Sequence, residues 1–258
     1  MNIVLLGSGN VATHLGRAFK MAGQTIVQVW SRDIEHAKEL ADTLASEAIS
    51  DMDDINRSAD LYIIAVKDDV ISEVSSKLKI GDKLIVHTSG STSLQALDGV
   101  SSHTGVFYPL QTFSKNKAVD FRQVPIAIEA GNPEDLAAIR AIADRLSERV
   151  TELSSTQRKA LHIAAVFACN FTNHLVAISQ QLLEAENLDF DLLRPLIAET
   201  ADKVQLYDPE TVQTGPALRE DTQIINSHLE MLQGRPELQE LYKKLSQSIV
   251  NFHKQPRG

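Results

Sequence analysis

Cysteine is almost absent from this chain of 258 residues, which contains only Cys169. A single cysteine cannot form a disulfide within the chain. The first residues, Met-Asn-Ile-Val-Leu-Leu-Gly, have neither the basic flank nor the long apolar stretch of a signal peptide. Both absences predict a cytoplasmic location.

Basic residues are in deficit, with 25 Lys and Arg against 34 Asp and Glu and a formal net charge of −9. Nucleic acids and anionic membranes attract basic surfaces, so neither is expected as the main partner. Hydrophobic residues make up 43% of the chain, which is typical of a soluble globular protein. The length favours two domains. No internal repeat, low-complexity tract or metal site is predicted.

Short apolar runs alternate with helical patterns in the first part of the chain. Strands are predicted at 3–6, 26–30, 61–66, 84–87, 105–107, 126–128 and 150–153. Helices are predicted at 11–22, 34–45, 70–78 and 133–147, the last with Asn132 as its cap. Strands joined by such helices imply crossover connections and a mainly parallel sheet, which is an α/β fold.

The pattern changes after Ser154, where β-rich runs end and helices follow. We therefore predict an α/β domain at 1–153 and an all-helical domain at 154–258. The run 160–183 contains no Asp, Glu, Lys or Arg, and its length raises the question of a membrane span. Two His, two Asn and two Gln within it favour a buried, domain-spanning or subunit-interface helix over a membrane span. We predict a homodimer formed through the helical domain and no membrane partner.

A glycine motif follows the first predicted strand, where Gly7-Ser8-Gly9-Asn10-Val11-Ala12 gives the pattern G-x-G-x-x-A. Gly7 suits a tight turn, Gly9 lets the backbone approach a pyrophosphate, and Ala12 allows close packing of helix and strand. The start of the following helix would face the phosphates. The motif in this context predicts a Rossmann-type dinucleotide-binding domain.

The end of the second predicted strand bears on the choice of cofactor. NAD enzymes commonly carry an acidic residue there for the ribose hydroxyls, whereas this chain has Ser31 and Arg32. A hydroxyl and a guanidinium suit the 2′-phosphate of NADP. We predict NADP(H) as the cofactor, with Asp33 available as a helix cap.

These motifs resemble the 6-phosphogluconate dehydrogenase-like superfamily, which includes pyrroline-5-carboxylate reductase, ketopantoate reductase and prephenate dehydrogenase. Three further motifs resemble a bacterial family that pairs a Rossmann-like domain with a helical domain of unknown function. They are His-Thr-Ser-Gly-Ser at 87–91, Phe-Tyr-Pro-Leu-Gln-Thr-Phe at 107–113 and Thr-Gly-Pro-Ala-Leu-Arg at 214–219. The resemblance covers nearly the whole chain and implies the fold and the cofactor class, but no substrate.

Residues at the carboxyl ends of parallel strands line the ligand crevice of such folds. We expect cofactor contacts from Val66, Lys67, Thr88 and Ser89, in part through backbone N–H groups of 88–91. Candidate substrate-binding residues are His87, Tyr108, Gln111 and Arg219. A buried structural histidine and a packing tyrosine are the alternatives for His87 and Tyr108. Tyr108 precedes a proline, so a cis peptide bond is one way to aim it into the crevice.

The uncharged helix carries the candidate catalytic groups. At about 100° per residue, Lys159, His162, Asn170 and Asn173 fall within one arc. The superfamily resemblance implies that a Lys or His and an Asn from the first long helix of the second domain lie beside the nicotinamide, although the exact Lys-x-x-x-Asn spacing is absent here. An ordinary solvated helix face is the alternative.

The sequence thus favours an NADP(H)-dependent oxidoreductase that transfers a hydride to or from a small, acidic carbonyl or imine metabolite. Pyrroline-5-carboxylate reductase activity is an alternative within this class, although the Ser/Thr-Pro-Gly-Gly-Thr-Thr type segment of that enzyme is missing. A non-catalytic NADP-responsive binding or scaffold protein is the alternative from another class.

Overall fold

The computed structural model describes residues 1–254, which form two compact units, one at Met1–Leu175 and a second that begins at Val176. The strands end at Glu152, whereas the contact boundary lies later, inside a long helix. The proposed division at 153/154 therefore marks the change of secondary structure, and the division of the compact units comes after it.

The first unit is built on an eight-stranded sheet. Its strands are β1 (Asn2–Leu6), β2 (Thr25–Trp30), β3 (Glu47–Ile49), β4 (Leu61–Ile64), β5 (Leu84–His87), β6 (Thr104–Pro109), β7 (Ile126–Ala130) and β8 (Val150–Glu152). The spatial order is β3-β2-β1-β4-β5-β6-β7-β8, and only the β6–β7 pairing is antiparallel. The predicted Rossmann-type, mainly parallel fold is confirmed.

Helices cover both faces of this sheet. They are α1 (Asn10–Met21), α2 (Ile34–Leu44), α3 (Ile71–Ser76) and α4 (Pro133–Ala143). Alternate residues of β1 enter different apolar cores, with Ile3 and Leu5 on one side and Val4 and Leu6 on the other. Strands buried on both faces explain why the early strands read as continuous apolar runs rather than as alternating patterns.

A long helix follows β8. It begins as α5 (Ser155–Ala165), passes through a π-helical segment at Val166–Phe171 and continues as α6 (Thr172–Ala185). Ser154 and Gln157 form a capping box at its start. A π-helix has more residues per turn than an α-helix, so residues beyond the segment are rotated relative to those before it. The single arc predicted for Lys159, His162, Asn170 and Asn173 assumed an uninterrupted α-helix and is therefore wrong.

The second unit continues from α6 into α7 (Arg194–Leu206), α8 (Thr222–Met231) and α9 (Pro236–Lys254). Among the described residues after Leu146, the only buried apolar side chain is that of Ala217. By length and composition alone, the helix Ser155–Ala185 could cross a membrane, but one such helix is weak support for a span. The helical half therefore exposes an unusual amount of apolar surface.

Candidate active site

The glycine turn lies at the carboxyl end of β1. Gly7 has φ +129°, and a Cβ at this position would lie 2.2 Å from the Ala65 carbonyl oxygen, so only glycine fits. At Gly9 no atom lies within 4 Å of the corresponding Cβ position. Packing within the protein therefore does not require glycine at position 9, which fits a turn that leaves its backbone open to a pyrophosphate.

A cavity of about 410 Å³ opens beside this turn. The predicted cofactor residues that line it are Gly7, Ser8, Gly9, Asn10, Val11, Ser31, Arg32, Val66 and Lys67. The Ser8 hydroxyl donates to the Ser31 hydroxyl at 3.1 Å, which ties the glycine turn to the end of β2. Ala12 is buried in the core instead, in keeping with its predicted packing role.

Arg32 lines this cavity and also a neighbouring one of about 450 Å³, which is lined as well by residues just after β3 and by α3. The adjacent Asp33 caps α2, accepting from the Glu35 N–H at 2.9 Å. His36, on the first turn of α2, also faces the first cavity and was not predicted. Arg32 and His36 are thus two side chains that could contact a ribose phosphate at this point.

The loop after β5 is held by a buried guanidinium. Arg158 of α5 is fully buried and its Nη1 donates to the carbonyl oxygens of Ser89 (2.8 Å) and Thr92 (2.7 Å). Its Nη2 donates to Glu129 of β7 at 2.8 Å. The Ser155 hydroxyl also donates to this carboxylate. One side chain therefore fixes the loop, the sheet and the start of the long helix relative to one another.

The N–H groups of this loop are mostly occupied. Ser89 N–H donates to His87 Nδ1 at 3.2 Å, and the N–H groups of Ser91 and Thr92 donate to the Ser89 hydroxyl. Thr88 and Ser89 are buried and do not line the cavity beside the glycine turn. The loop thus uses the N–H groups of Ser89, Ser91 and Thr92 itself, and the cofactor contacts expected from Thr88 and Ser89 stay predictions.

His87 lies beneath the loop and is fully buried. Burial lowers the pKa of its imidazole to about 4, and the Arg158 charge adds to the effect. The ring is therefore neutral near pH 7, and because Nδ1 accepts a hydrogen bond its proton is on Nε2. His87 therefore has no exposed surface that a substrate could contact. This position is the one expected for the alternative named above, a buried structural histidine.

Tyr108 and His162 meet beside Gly90, at the carboxyl end of β6. The Tyr108 hydroxyl lies 3.1 Å from His162 Nδ1, with the rings edge to face at 6.1 Å. A Cβ at Gly90 would lie 2.7 Å from Tyr108 Cζ and 2.8 Å from His162 Nδ1. Burial raises the pKa of Tyr108, as does the nearby charge of Asp68. The Tyr108–Pro109 peptide is trans, since residues 1–254 contain no cis bond, so strand geometry alone aims Tyr108.

A series of contacts along the loop links this pair to the cavity beside the glycine turn. The Ser91 hydroxyl donates to the Asp68 carboxylate, and Asp68 directly follows Lys67, which lines that cavity. Gly90 precedes Ser91 and packs against both rings of the pair. The loops after β4 and β5 therefore connect the glycine turn with the Tyr108–His162 pair, at the sheet edge where open α/β folds bind ligands.

Comparison with known proteins places the chain in a family. Residues 2–90 match the family described as NADP oxidoreductase coenzyme F420-dependent, and residues 124–249 match the domain of unknown function DUF2520. A Bacteroides fragilis protein assigned to the NADP oxidoreductases is 47% identical over 97% of this chain and 98% of its own, with a TM-score of 0.92. This chain belongs to the same NADP oxidoreductase family.

Two more distant structures share the fold. An imine reductase from Myxococcus stipitatus in complex with NADP+ is 18% identical, with 97% and 92% of the two chains covered and a TM-score of 0.62. A reductive aminase from Aspergillus terreus in complex with NADPH and ethyl-5-oxohexanoate is 15% identical, with coverage of 97% and 93% and a TM-score of 0.72. No curated protein matches the chain. The predicted cofactor class, NADP(H), is that of the family.

The remaining predicted residues of this family member are exposed. Gln111 is exposed and its side-chain oxygen accepts from the Thr112 N–H at 2.8 Å. Lys159, Asn170, Asn173 and Arg219 are exposed, with Asn170 inside the π-helical segment. Asp221, two residues after Arg219, caps α8. The roles of these residues remain predictions.

Arg158 and Glu129 are the site residues that sequence reasoning missed. In the sequence, Arg158 and Lys159 are the last two charged residues before the uncharged run 160–183. An arginine in such a position is normally exposed to solvent. The sequence feature that could have indicated its role is its spacing from His162. The two residues are four positions apart and therefore share a helix face. The face of α5 that meets the sheet is therefore the one with Arg158 and His162, and Lys159 points elsewhere.

Proposed function

We propose that this NADP-dependent oxidoreductase transfers a hydride to or from the carbonyl or imine carbon of a small acidic metabolite, with Tyr108 and His162 handling the proton. The observation that carries the proposal is the 3.1 Å contact between the Tyr108 hydroxyl and His162 Nδ1. It lies at the edge of the sheet where such folds bind ligands. The cofactor, when bound, supplies the hydride chemistry.

The glycine turn and the end of β2 would hold the cofactor. The backbone at Gly7 and Gly9 offers close approach to a pyrophosphate, and the start of α1 adds its N–H groups and positive dipole end. Arg32 would bind the 2′-phosphate, with His36 beside it. These contacts would hold the phosphate-bearing part of the cofactor and not its nicotinamide.

The Tyr108–His162 pair is suited to deliver a proton. A raised pKa keeps the Tyr108 phenol protonated at neutral pH, so its O–H can donate to a substrate oxygen or nitrogen that gains electron density. His162 can then return a proton from Nδ1 to the phenolate oxygen across their hydrogen bond, and solvent water restores a proton to the imidazole. In the opposite direction of reaction the same two transfers run in reverse.

Substrate class and setting are further parts of the proposal. Arg219 is the candidate cation for a substrate carboxylate, and Asn170 and Asn173 are candidate hydrogen-bond donors. We also propose a cytoplasmic protein that works as a homodimer.

The test begins with NADPH oxidation measured against 2-oxo acids, cyclic imines and aldehydes. With the substrate found, Tyr108→Phe, His162→Ala and Asn170→Ala should each lower turnover by about 100-fold or more, as expected for loss of an acid–base or transition-state contact. NADPH affinity should change by less than about threefold, because the contacts proposed to hold the cofactor come from the glycine turn and Arg32 and not from the pair.

The chain offers a matched control pair. His228 Nδ1 lies 2.8 Å from the Tyr242 hydroxyl, with the rings edge to face, in the second unit. Tyr242→Phe should keep turnover within about twofold, a change far below the loss of a catalytic group. Full turnover in both Tyr108→Phe and His162→Ala would contradict the assignment. Tight NADPH binding with no turnover on any compound would favour the scaffold alternative instead.

A further inference from the structure

A third cavity lies beside α1, away from the glycine turn. It encloses about 520 Å³ between the second half of α1, the turn at Phe121–Gln123 and the chain just after α4. This volume is within the range of small-molecule sites. None of its lining residues lines the cavity beside the glycine turn. It is therefore a separate concavity within the first unit.

Positive charge is concentrated in this cavity. Arg17, Arg122 and Arg145 line it, with Asp120 as the only lining carboxylate. Asp120 accepts from the Arg122 N–H as a turn cap, and the Arg122 guanidinium pairs with Glu148 at 2.7 Å. Among residues 1–254, neither Arg17 nor Arg145 forms an ion pair. Two uncompensated guanidinium groups thus face one cavity in a chain whose net charge is −9.

Apart from His14, the rest of the lining is apolar, and ring stacking orders part of it. The His14 ring stacks on Phe113 at 4.9 Å, and Phe113 stacks on Phe121 at 5.9 Å. His14 Nε2 lies 2.9 Å from the Ser114 carbonyl oxygen, which fixes the ring. Met21, next to the cavity, is 89% exposed and so presents an apolar side chain without cover. The wall is thus largely formed before any ligand arrives.

From this combination we propose that the cavity binds a small organic anion with an apolar body. Arg17 and Arg145 would hold its carboxylate or sulfonate, because planar guanidinium groups bind such anions through paired hydrogen bonds. Phe121, Met21 and Leu146 would cover the apolar part. The site is independent of the hydride-transfer site and of the function proposed for it.

The fluorescent probe anilinonaphthalene sulfonate tests the proposal, because it is an apolar aromatic anion. It is titrated into the full chain with saturating NADP+, which occupies the nucleotide site. We expect the dye to bind under these conditions and Arg17→Gln/Arg145→Gln to weaken its binding at least about tenfold. Arg57→Gln/Arg235→Gln, which removes two exposed arginines outside the cavity, should leave dye binding unchanged.

Two competitors of matched size separate charge from hydrophobicity. Phenylbutyrate should displace the dye, whereas the neutral phenylbutanol should not do so at the same concentration. Unchanged dye affinity in Arg17→Gln/Arg145→Gln, displacement of the dye by NADP+, or equal competition by the two compounds would each overturn the proposal.

Discussion

The side chain of Arg32 is expected to determine the preference for NADPH over NADH. It lines both cavities along β2, and the acidic residue beside it is engaged as the cap of α2. We predict that NADPH binds at least about tenfold tighter than NADH, a difference of about 1.4 kcal/mol. Arg32→Ala should remove most of this difference and Arg57→Ala none of it. Equal affinities of the native protein for both cofactors in a fluorescence titration would refute the prediction.

The buried side chain of His87 is expected to make the free energy of unfolding depend on pH. Its pKa is about 4 in the folded protein, against 6.5 for an ordinary imidazole. As pH falls below 6.5 the unfolded chain gains a proton that the folded chain does not take up until about pH 4, so the free energy of unfolding falls. The loss between pH 7 and pH 4.5 should be about 2 kcal/mol.

His87→Asn tests this, because an amide oxygen can still accept from the Ser89 N–H but does not titrate. Urea unfolding at both pH values should show a smaller loss in the variant, by about the same 2 kcal/mol. His103, whose pKa is raised by its hydrogen bond to Asp135, is present in both proteins and cancels in the comparison. Identical pH dependence in the two proteins would show that His87 is not the group responsible.

At the scale of elements, the loop after β5 brings Tyr108 and His162 together. Gly90 is its contact point, since a methyl group there would overlap both rings. We predict that Gly90→Ala separates the pair and lowers turnover by about tenfold or more, the scale of a misplaced catalytic group. NADPH affinity should be preserved.

Gly131→Ala is the matched control, because the added Cβ meets no atom within 4 Å. This variant should keep normal turnover. If Gly90→Ala is folded and as active as Gly131→Ala, the packing of the pair is not needed for the reaction.

The crossover units show how far local sequence determines this fold. The predicted strands at 3–6 and 26–30 and the helix between them agree with β1, α1 and β2 within a residue or two, because long apolar runs and a glycine turn are local signals. β3 was missed, since Glu47–Ile49 is too short to show a period. The antiparallel direction of β7 is likewise a matter of chain topology and not of composition.

Only the parts of the site formed by residues close together in the sequence could be predicted. The glycine turn and Arg32 follow from adjacent residues, and the cavity contains both. The Tyr108–His162 contact joins residues 54 positions apart, and the Arg158 contact with Ser89 spans 69. Such contacts depend on how the sheet and α5 pack. No pattern in the sequence marks the π-helical segment at Val166–Phe171. A projection that places every residue at the α-helical angle therefore gives wrong relative directions for side chains on either side of it.

At the scale of the whole molecule, the two halves differ in how much core they possess. The sheet unit has two apolar cores, whereas the described helices after Leu153 bury almost no apolar side chain. Phe167 is 66% exposed and Leu206 is 75% exposed. Helices without a buried face are rarely stable alone, since packing provides most of their stability. We therefore expect these exposed apolar side chains to contact another molecule.

A protein partner explains this surface better than lipid does. The long helix carries His162, Asn170, Asn173 and His174 within its uncharged run. In a bilayer such groups need partners inside the membrane, whereas at a protein interface they can bond across it or to trapped water. A second copy of the chain offers the same exposed helices, and a two-fold arrangement would let each cover the other.

We therefore predict a homodimer at micromolar concentration, formed through the helical half. Light scattering should give twice the mass of one chain. Phe167→Glu should weaken the dimer by about 100-fold, or about 2.7 kcal/mol, because an unpaired carboxylate would be buried at the interface. Met21→Glu changes an even more exposed apolar residue of the sheet unit and should leave the mass unchanged. A native protein that is monomeric at micromolar concentration would refute the prediction, and a Met21→Glu variant that dissociates as readily as Phe167→Glu would place the interface elsewhere.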